Sequence, residues 1–180
     1  MVAGSVALVQ ILIATDADWI VDDITAALGA DGVTFIVCRE GRVVSDTVAE
    51  HSPDLVIADL QIGSMGGMAV TMALRLDETA GAVPHAPVLM LLDRAADVHL
   101  ARRSGAEGWT IKPINPLTLK RATNALLAGE RYTEGLPPVE TPVDTSVDGV
   151  EDAGSAEAMD PDPTSGGDGT PAEEEPVAAG

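Results

Sequence analysis

Four short apolar runs in this 180-residue chain lead straight into side chains able to do polar chemistry. Val9 to Ala14 runs into Thr15 and Asp16, and Leu55 to Ala58 into Asp59. Val88 to Leu92 runs into Asp93, and Trp109 to Ile111 into Lys112 and Pro113. If these runs become strands of one sheet, with the first and third adjacent, Asp16 and Asp59 approach one another at its carboxyl edge, with Lys112 nearby. Two carboxylates suit magnesium, a hard cation that takes oxygen ligands and keeps several waters. A lysine ammonium is a compact point charge suited to phosphoryl oxygens. Spacing alone is equally compatible with two carboxylates that only terminate strands and a lysine on the surface.

Whether these residues can meet depends on the elements that carry them. Val9 to Ala14 is continuously apolar, as expected of a strand buried on both faces. Ile20, Ile24 and Leu28 then recur at helical spacing over Asp18 to Gly29. Val33 to Cys38 is rich in branched and aromatic residues and reads as a second strand. Val44 and Val48 mark a helix leading to His51, Leu55 to Asp59 is a third strand, and Met68, Met72 and Leu76 supply the next helical stripe. Val88 to Leu92 is a fourth strand, followed by a weaker helix from Arg94 that stops at Gly105. Trp109 to Ile111 is a short fifth strand; the last helix opens with Asn115 as cap and Pro116 in its first turn, and aligns Leu119, Ala122 and Leu126. This alternation predicts an α/β fold: a doubly wound, five-stranded parallel sheet, (βα)5, of flavodoxin-like strand order 2-1-3-4-5. In that order the ligand crevice lies beyond the carboxyl ends of strands one and three.

Composition divides the chain near residue 131. Residues 1–130 hold sixteen acidic and nine basic side chains, and residues 131–180 hold thirteen acidic side chains and only Arg131, for a formal net charge of -19. From Thr133 onward there is no aromatic residue and no isoleucine, while seven of the twelve prolines lie there. Such a segment buries too little apolar surface to offset roughly 1–2 kcal/mol of backbone entropy per residue, so residues 131–180 are expected to form a disordered acidic tail beside a folded domain of residues 1–130. The negative field argues against autonomous binding to nucleic acid or to anionic membranes. One cysteine, Cys38, excludes an internal disulfide or a multi-cysteine metal site. The opening apolar run is too short to span a bilayer and lacks a basic leader, so a cytoplasmic location is expected. The turn after the first strand, Thr15-Asp16-Ala17-Asp18-Trp19, has no glycine to bring backbone N–H groups onto a phosphate, which disfavours a nucleotide or flavin.

The residues from about 8 to 129 resemble the receiver domain of two-component response regulators. Pro53 to Leu60 is similar to the family's third strand, which ends in the phosphoacceptor aspartate, and Ile62 to Met68 to the loop that follows. Pro87 to Leu91 resembles its fourth strand, and Gly105 to Pro113 its closing glycine-alanine, aromatic and lysine-proline signature. The resemblance implies that Asp59 takes a phosphoryl group from a histidine kinase, a phosphotransfer protein or a small phosphodonor. It implies that Asp16, Asp59 and the backbone carbonyl of Gln61 hold magnesium, that Lys112 pairs with a phosphoryl oxygen, and that the bond from Lys112 to Pro113 is cis.

Three positions depart from the family pattern. Thr15 replaces the first of two acids after strand one, which weakens magnesium binding. Leu92 replaces the hydroxyl residue that ends strand four, so the usual switch linking that hydroxyl to the aromatic on strand five, here Trp109, is missing. Asp93 adds a carboxylate where a small residue is usual, and like charge would repel an incoming phosphoryl dianion. The reading is a stand-alone, atypical receiver that accepts a phosphoryl group on Asp59, acts through a downstream protein partner and is not an enzyme. One alternative is a phosphorylation-independent pseudo-receiver acting as an adaptor. A more remote one is a magnesium-dependent phosphohydrolase, for which Gln61 is no general acid and no cap is present.

Overall fold

The computed structural model describes residues 8–134. The expected tail lies outside them from residue 135 onward. Five strands alternate with five helices: β1 Val9–Ala14, α1 Asp18–Leu28, β2 Val33–Cys38, α2 Val44–His51, β3 Leu55–Asp59, α3 Gly66–Thr79, β4 Val88–Leu92, α4 Val98–Ser104, β5 Gly108–Ile111 and α5 Pro116–Leu127. A sixth strand, β6 Tyr132–Thr133, follows. Every pairing is parallel, and the order is β2-β1-β3-β4-β5-β6. The expected doubly wound order 2-1-3-4-5 is therefore present, with β6 added at the β5 edge. Two residues carry too short a pattern to be read as a strand from sequence, and they fall just past the compositional boundary at residue 130.

Side chains alternate across the sheet, so each strand feeds two cores. Ile11, Ile13, Leu55, Ile57, Leu89 and Leu91 face α1 and α5, where they meet Ile20, Ile24, Leu119 and Leu126. Leu12, Ala14, Val56, Ala58, Met90 and Leu92 face the opposite way, toward Val44, Val48, Val70, Leu74 and Ala101. Fully burying an aliphatic side chain of this size contributes about 1.5–3 kcal/mol, which makes the central strands β3 and β4 the anchor of the fold. Asn115 caps α5 as expected, its side-chain oxygen accepting from the N–H groups of Leu117 and Thr118, with Pro116 in the first turn.

The stripe read on α3 is corrected. Met72 and Leu76 are exposed, at 48% and 70%, while Gly67, Val70, Thr71 and Leu74 form the buried face. Residues spaced four apart advance about 40° at each step around a helix of 3.6 residues per turn. Val70 and Leu74 repeat the same spacing two residues out of step, about 200° around the helix, and the close approach of α3 to β3 selects their side, which carries Gly67. A Cβ on Gly67 would stand 2.4 Å from the carbonyl oxygen of Asp59, so only glycine fits there. The region after β4 is one turn of 3-10 helix, Ala95–Asp97, leading into a short α4, where sequence suggested a single helix from Arg94.

Candidate functional site

Asp59 ends β3 at the carboxyl edge of the sheet and is 2% exposed. A buried carboxylate requires partners, because an unpaired one loses its hydration without return. It has three. Lys112 Nζ donates to Oδ1 at 2.6 Å, the backbone N–H of Gln61 donates to the same oxygen at 3.1 Å, and Thr15 Oγ1 donates to Oδ2 at 3.0 Å. The elements explain the meeting. Ala14 lies opposite Ala58 in the β1–β3 pairing and Leu92 opposite Ile111 in the β4–β5 pairing, so four strand ends converge on one edge.

Thr15 is fully buried, and its hydroxyl also accepts from the backbone N–H of Ala17 at 3.2 Å. The expected loss of a carboxylate at this position is accompanied by a gain: the hydroxyl donates to Asp59, which a second carboxylate could not do without a proton. Asp16, one residue on, is exposed and turns over the loop after β3. A Cβ on Gly63 would stand 3.1 Å from its Oδ2, so the missing side chain leaves that carboxylate its place. Among the described residues, no group of three or more acidic, histidine or cysteine side chains forms a metal cluster. Carboxylate and backbone carbonyl oxygens are the hard donors that magnesium accepts, and one or two carboxylates suffice for it.

Lys112 follows β5, its backbone N–H bonded to the carbonyl of Leu92 at 2.7 Å, and the peptide bond to Pro113 is cis. Its side chain is 11% exposed and is shared: Asp93 Oδ1 accepts from Nζ at 3.1 Å, alongside Asp59. Asp93, whose charge opposes an incoming anion, also holds the lysine that such an anion needs. The Trp19 ring lies 5.9 Å from Nζ and adds a cation–π face that no spacing in the sequence marks. Leu92 is fully buried in the core beneath α4, and Trp109 is 3% exposed. The Trp109 indole N–H donates to the backbone carbonyl of Glu134 at 3.1 Å, a partner that no local sequence signal marks.

Residues 11–124 match the response regulator receiver domain. The chain belongs to this family. It is 31% identical over 120 residues to the DNA-binding response regulator MtrA of Mycolicibacterium smegmatis, which covers 66% of this chain and 50% of that protein. It therefore spans about half the length of that relative. Protein PilH of Pseudomonas aeruginosa is 28% identical over 120 residues, covering 67% of this chain and 98% of its own. The chemotaxis response regulator CheY4 of Vibrio cholerae superposes with a TM-score of 0.59 at 23% identity over 67% of this chain, a likeness of fold. The receiver is thus a module of two-component signalling. Receiver domains are in general signalling modules that interact with histidine kinases or phosphotransfer proteins and with downstream targets, and typically bind magnesium at the phosphorylation site. No helix among the described residues is long and apolar enough to cross a membrane.

Proposed function

We propose that this receiver accepts a phosphoryl group on Asp59 and passes the signal on through protein contacts, as a stand-alone cytoplasmic domain that β6 carries a few residues past the expected boundary at 130, with an acidic extension after it. The observation that carries this reading is the buried Asp59 carboxylate held by Lys112 at the convergence of four strand ends. In the transfer, a carboxylate oxygen of Asp59 attacks phosphorus, the bond from phosphorus to the donor's histidine nitrogen breaks, and its electron pair stays on the imidazole. The product is an aspartyl phosphate. Lys112 then exchanges its hydrogen bond with Asp59 Oδ1 for one with a phosphoryl oxygen. Asp16, Asp59 and the Gln61 carbonyl would hold magnesium, which neutralises charge on the phosphoryl oxygens. Thr15 orients Asp59 by fixing Oδ2, and the Gln61 N–H fixes Oδ1.

Intact mass after incubation with magnesium and a small phosphodonor tests the reading. One phosphoryl gain is expected on the native chain and none on Asp59→Asn. No gain on a folded native chain would sink it for small donors. A second reading, a phosphorylation-independent adaptor, is favoured by the Asp93 carboxylate on Lys112 and by the apolar Leu92 beside it. A partner that binds the native chain and Asp59→Asn equally well would decide for the adaptor.

A further inference from the structure

The segment after α5 returns to the sheet and closes its β5 edge. Tyr132 stands opposite Gly108 and Thr133 opposite Trp109, and the Tyr132 N–H donates to the carbonyl of Glu107 at 3.2 Å. Glu134 then binds β5 twice. Its backbone carbonyl takes the Trp109 indole N–H at 3.1 Å, and its carboxylate takes the backbone N–H of Ile111 at 2.8 Å. Glycine at 108 permits the approach: a Cβ there would stand 2.9 Å from the carbonyl oxygen of Tyr132. The same stretch of backbone leads directly to Lys112 and its bond to Asp59.

We infer that Arg131–Glu134 is a latch that keeps Trp109 inside and the β5 edge closed, and that its release is the conformational change open to this receiver, whose buried Leu92 offers no hydroxyl to drive one. A two-residue strand at a sheet edge, held by a few hydrogen bonds, belongs to the part of a fold that opens locally long before global unfolding. Opening it frees the Trp109 indole N–H and the N–H of Ile111 together, because Glu134 serves both. The release step rests on the phosphotransfer reading above; the latch itself does not.

The chain has two tryptophans, and Trp19 is half exposed, so Trp19→Phe leaves Trp109 as the single tryptophan in the full-length protein, read by excitation at a wavelength that tyrosine does not absorb. On that background Glu134→Gln and Tyr132→Pro are compared, the first removing only the carboxylate's charge and the second removing the N–H bonded to Glu107. A rise of about twofold or more in acrylamide quenching of Trp109 in Tyr132→Pro, with far-UV circular dichroism and a cooperative melt retained, is the expected result for a locally opening segment. Glu134→Gln should fall between that variant and the parent. Unchanged quenching in both would overturn the latch. Adding magnesium and a small phosphodonor to the parent, with intact mass read on the same sample, tests release: phosphoryl gain with increased quenching supports it, and phosphoryl gain with unchanged quenching overturns it. Absence of any phosphoryl gain on the native chain and the parent alike, with the variants still exposing Trp109, overturns the release step through the phosphotransfer reading and leaves the latch standing.

Discussion

Lys112 serves two carboxylates, and the division decides how readily it can serve a third anion. Asp59 holds it at 2.6 Å and Asp93 at 3.1 Å, the latter on a half-exposed side chain. Replacing Asp93 by Ala frees the ammonium from the weaker partner while leaving Asp59 paired. Phosphorylation by a small donor is then expected to quicken by about three- to tenfold, a change of roughly 0.7–1.4 kcal/mol in barrier, read as the rate of mass gain. An unchanged rate would show that Asp93 does not compete. Thr15 makes the complementary case. Thr15→Asp adds a second acid beside a buried carboxylate and removes the hydroxyl donor to Oδ2. Without magnesium the variant should be less stable by about 1–3 kcal/mol, the cost of an unmet buried polar group. Magnesium should raise its melting temperature more than that of the native chain, because an ion that binds only the folded state stabilises it. Equal shifts in the two proteins would refute this.

At the scale of elements, the contact of α3 with β3 is the tightest joint beneath the site. Gly67→Ala forces a methyl group against the Asp59 carbonyl, at 2.4 Å for the unrelaxed Cβ. Overpacking of this kind costs about 1–3 kcal/mol, and because the clash is with backbone the upper part of that range is expected in urea unfolding. The buried face of the same helix makes a second test. Leu74→Ala should cost about 2–5 kcal/mol, whereas Leu76→Lys, two residues away and 70% exposed, should change stability by less than about 0.5 kcal/mol. Equal effects would mean that α3 is turned as the Met68, Met72 and Leu76 stripe suggested.

For the whole molecule, acid sensitivity has a definite source far from Asp59. Burial alone would raise the Glu78 carboxyl, but hydrogen bonds from Arg75, His85 and the Ala86 N–H outweigh it and hold the group below its ordinary 4.5. Arg75 also reaches Glu107 at 2.6 Å, and Glu107 accepts from the N–H of Val88 at 2.7 Å, so this network ties α3 to the start of β4 and β5. A carboxylate whose folded pKa is depressed contributes stability above its unfolded value that disappears as pH falls through the folded one. The stability gap between the native chain and Glu78→Gln should therefore be present at neutral pH and close on acidification below 4.5. A gap that does not narrow would sink this account.

Sequence by itself determined the elements whose stabilisation is local or periodic. Continuous apolar runs marked β1, β3 and β4, the stripe of Ile20, Ile24 and Leu28 marked α1, and Asn115 with Pro116 marked the start of α5. Side-chain period and capping act within a few residues, so they are written in the order of the chain. The position of Asp59, Asp16 and Lys112 at one edge followed from those elements and the strand order. Tertiary structure alone decided what these residues touch. Thr15 reaches Asp59 across 44 residues, Lys112 reaches Asp93 across 19, and Trp109 reaches Glu134 across 25. It also chose between two nearly equivalent faces of α3 and added β6 from two residues that carry no pattern of their own. Hydrogen bonds and close packing depend on angstrom distances between distant segments, and those distances exist only once the two cores have closed around the sheet.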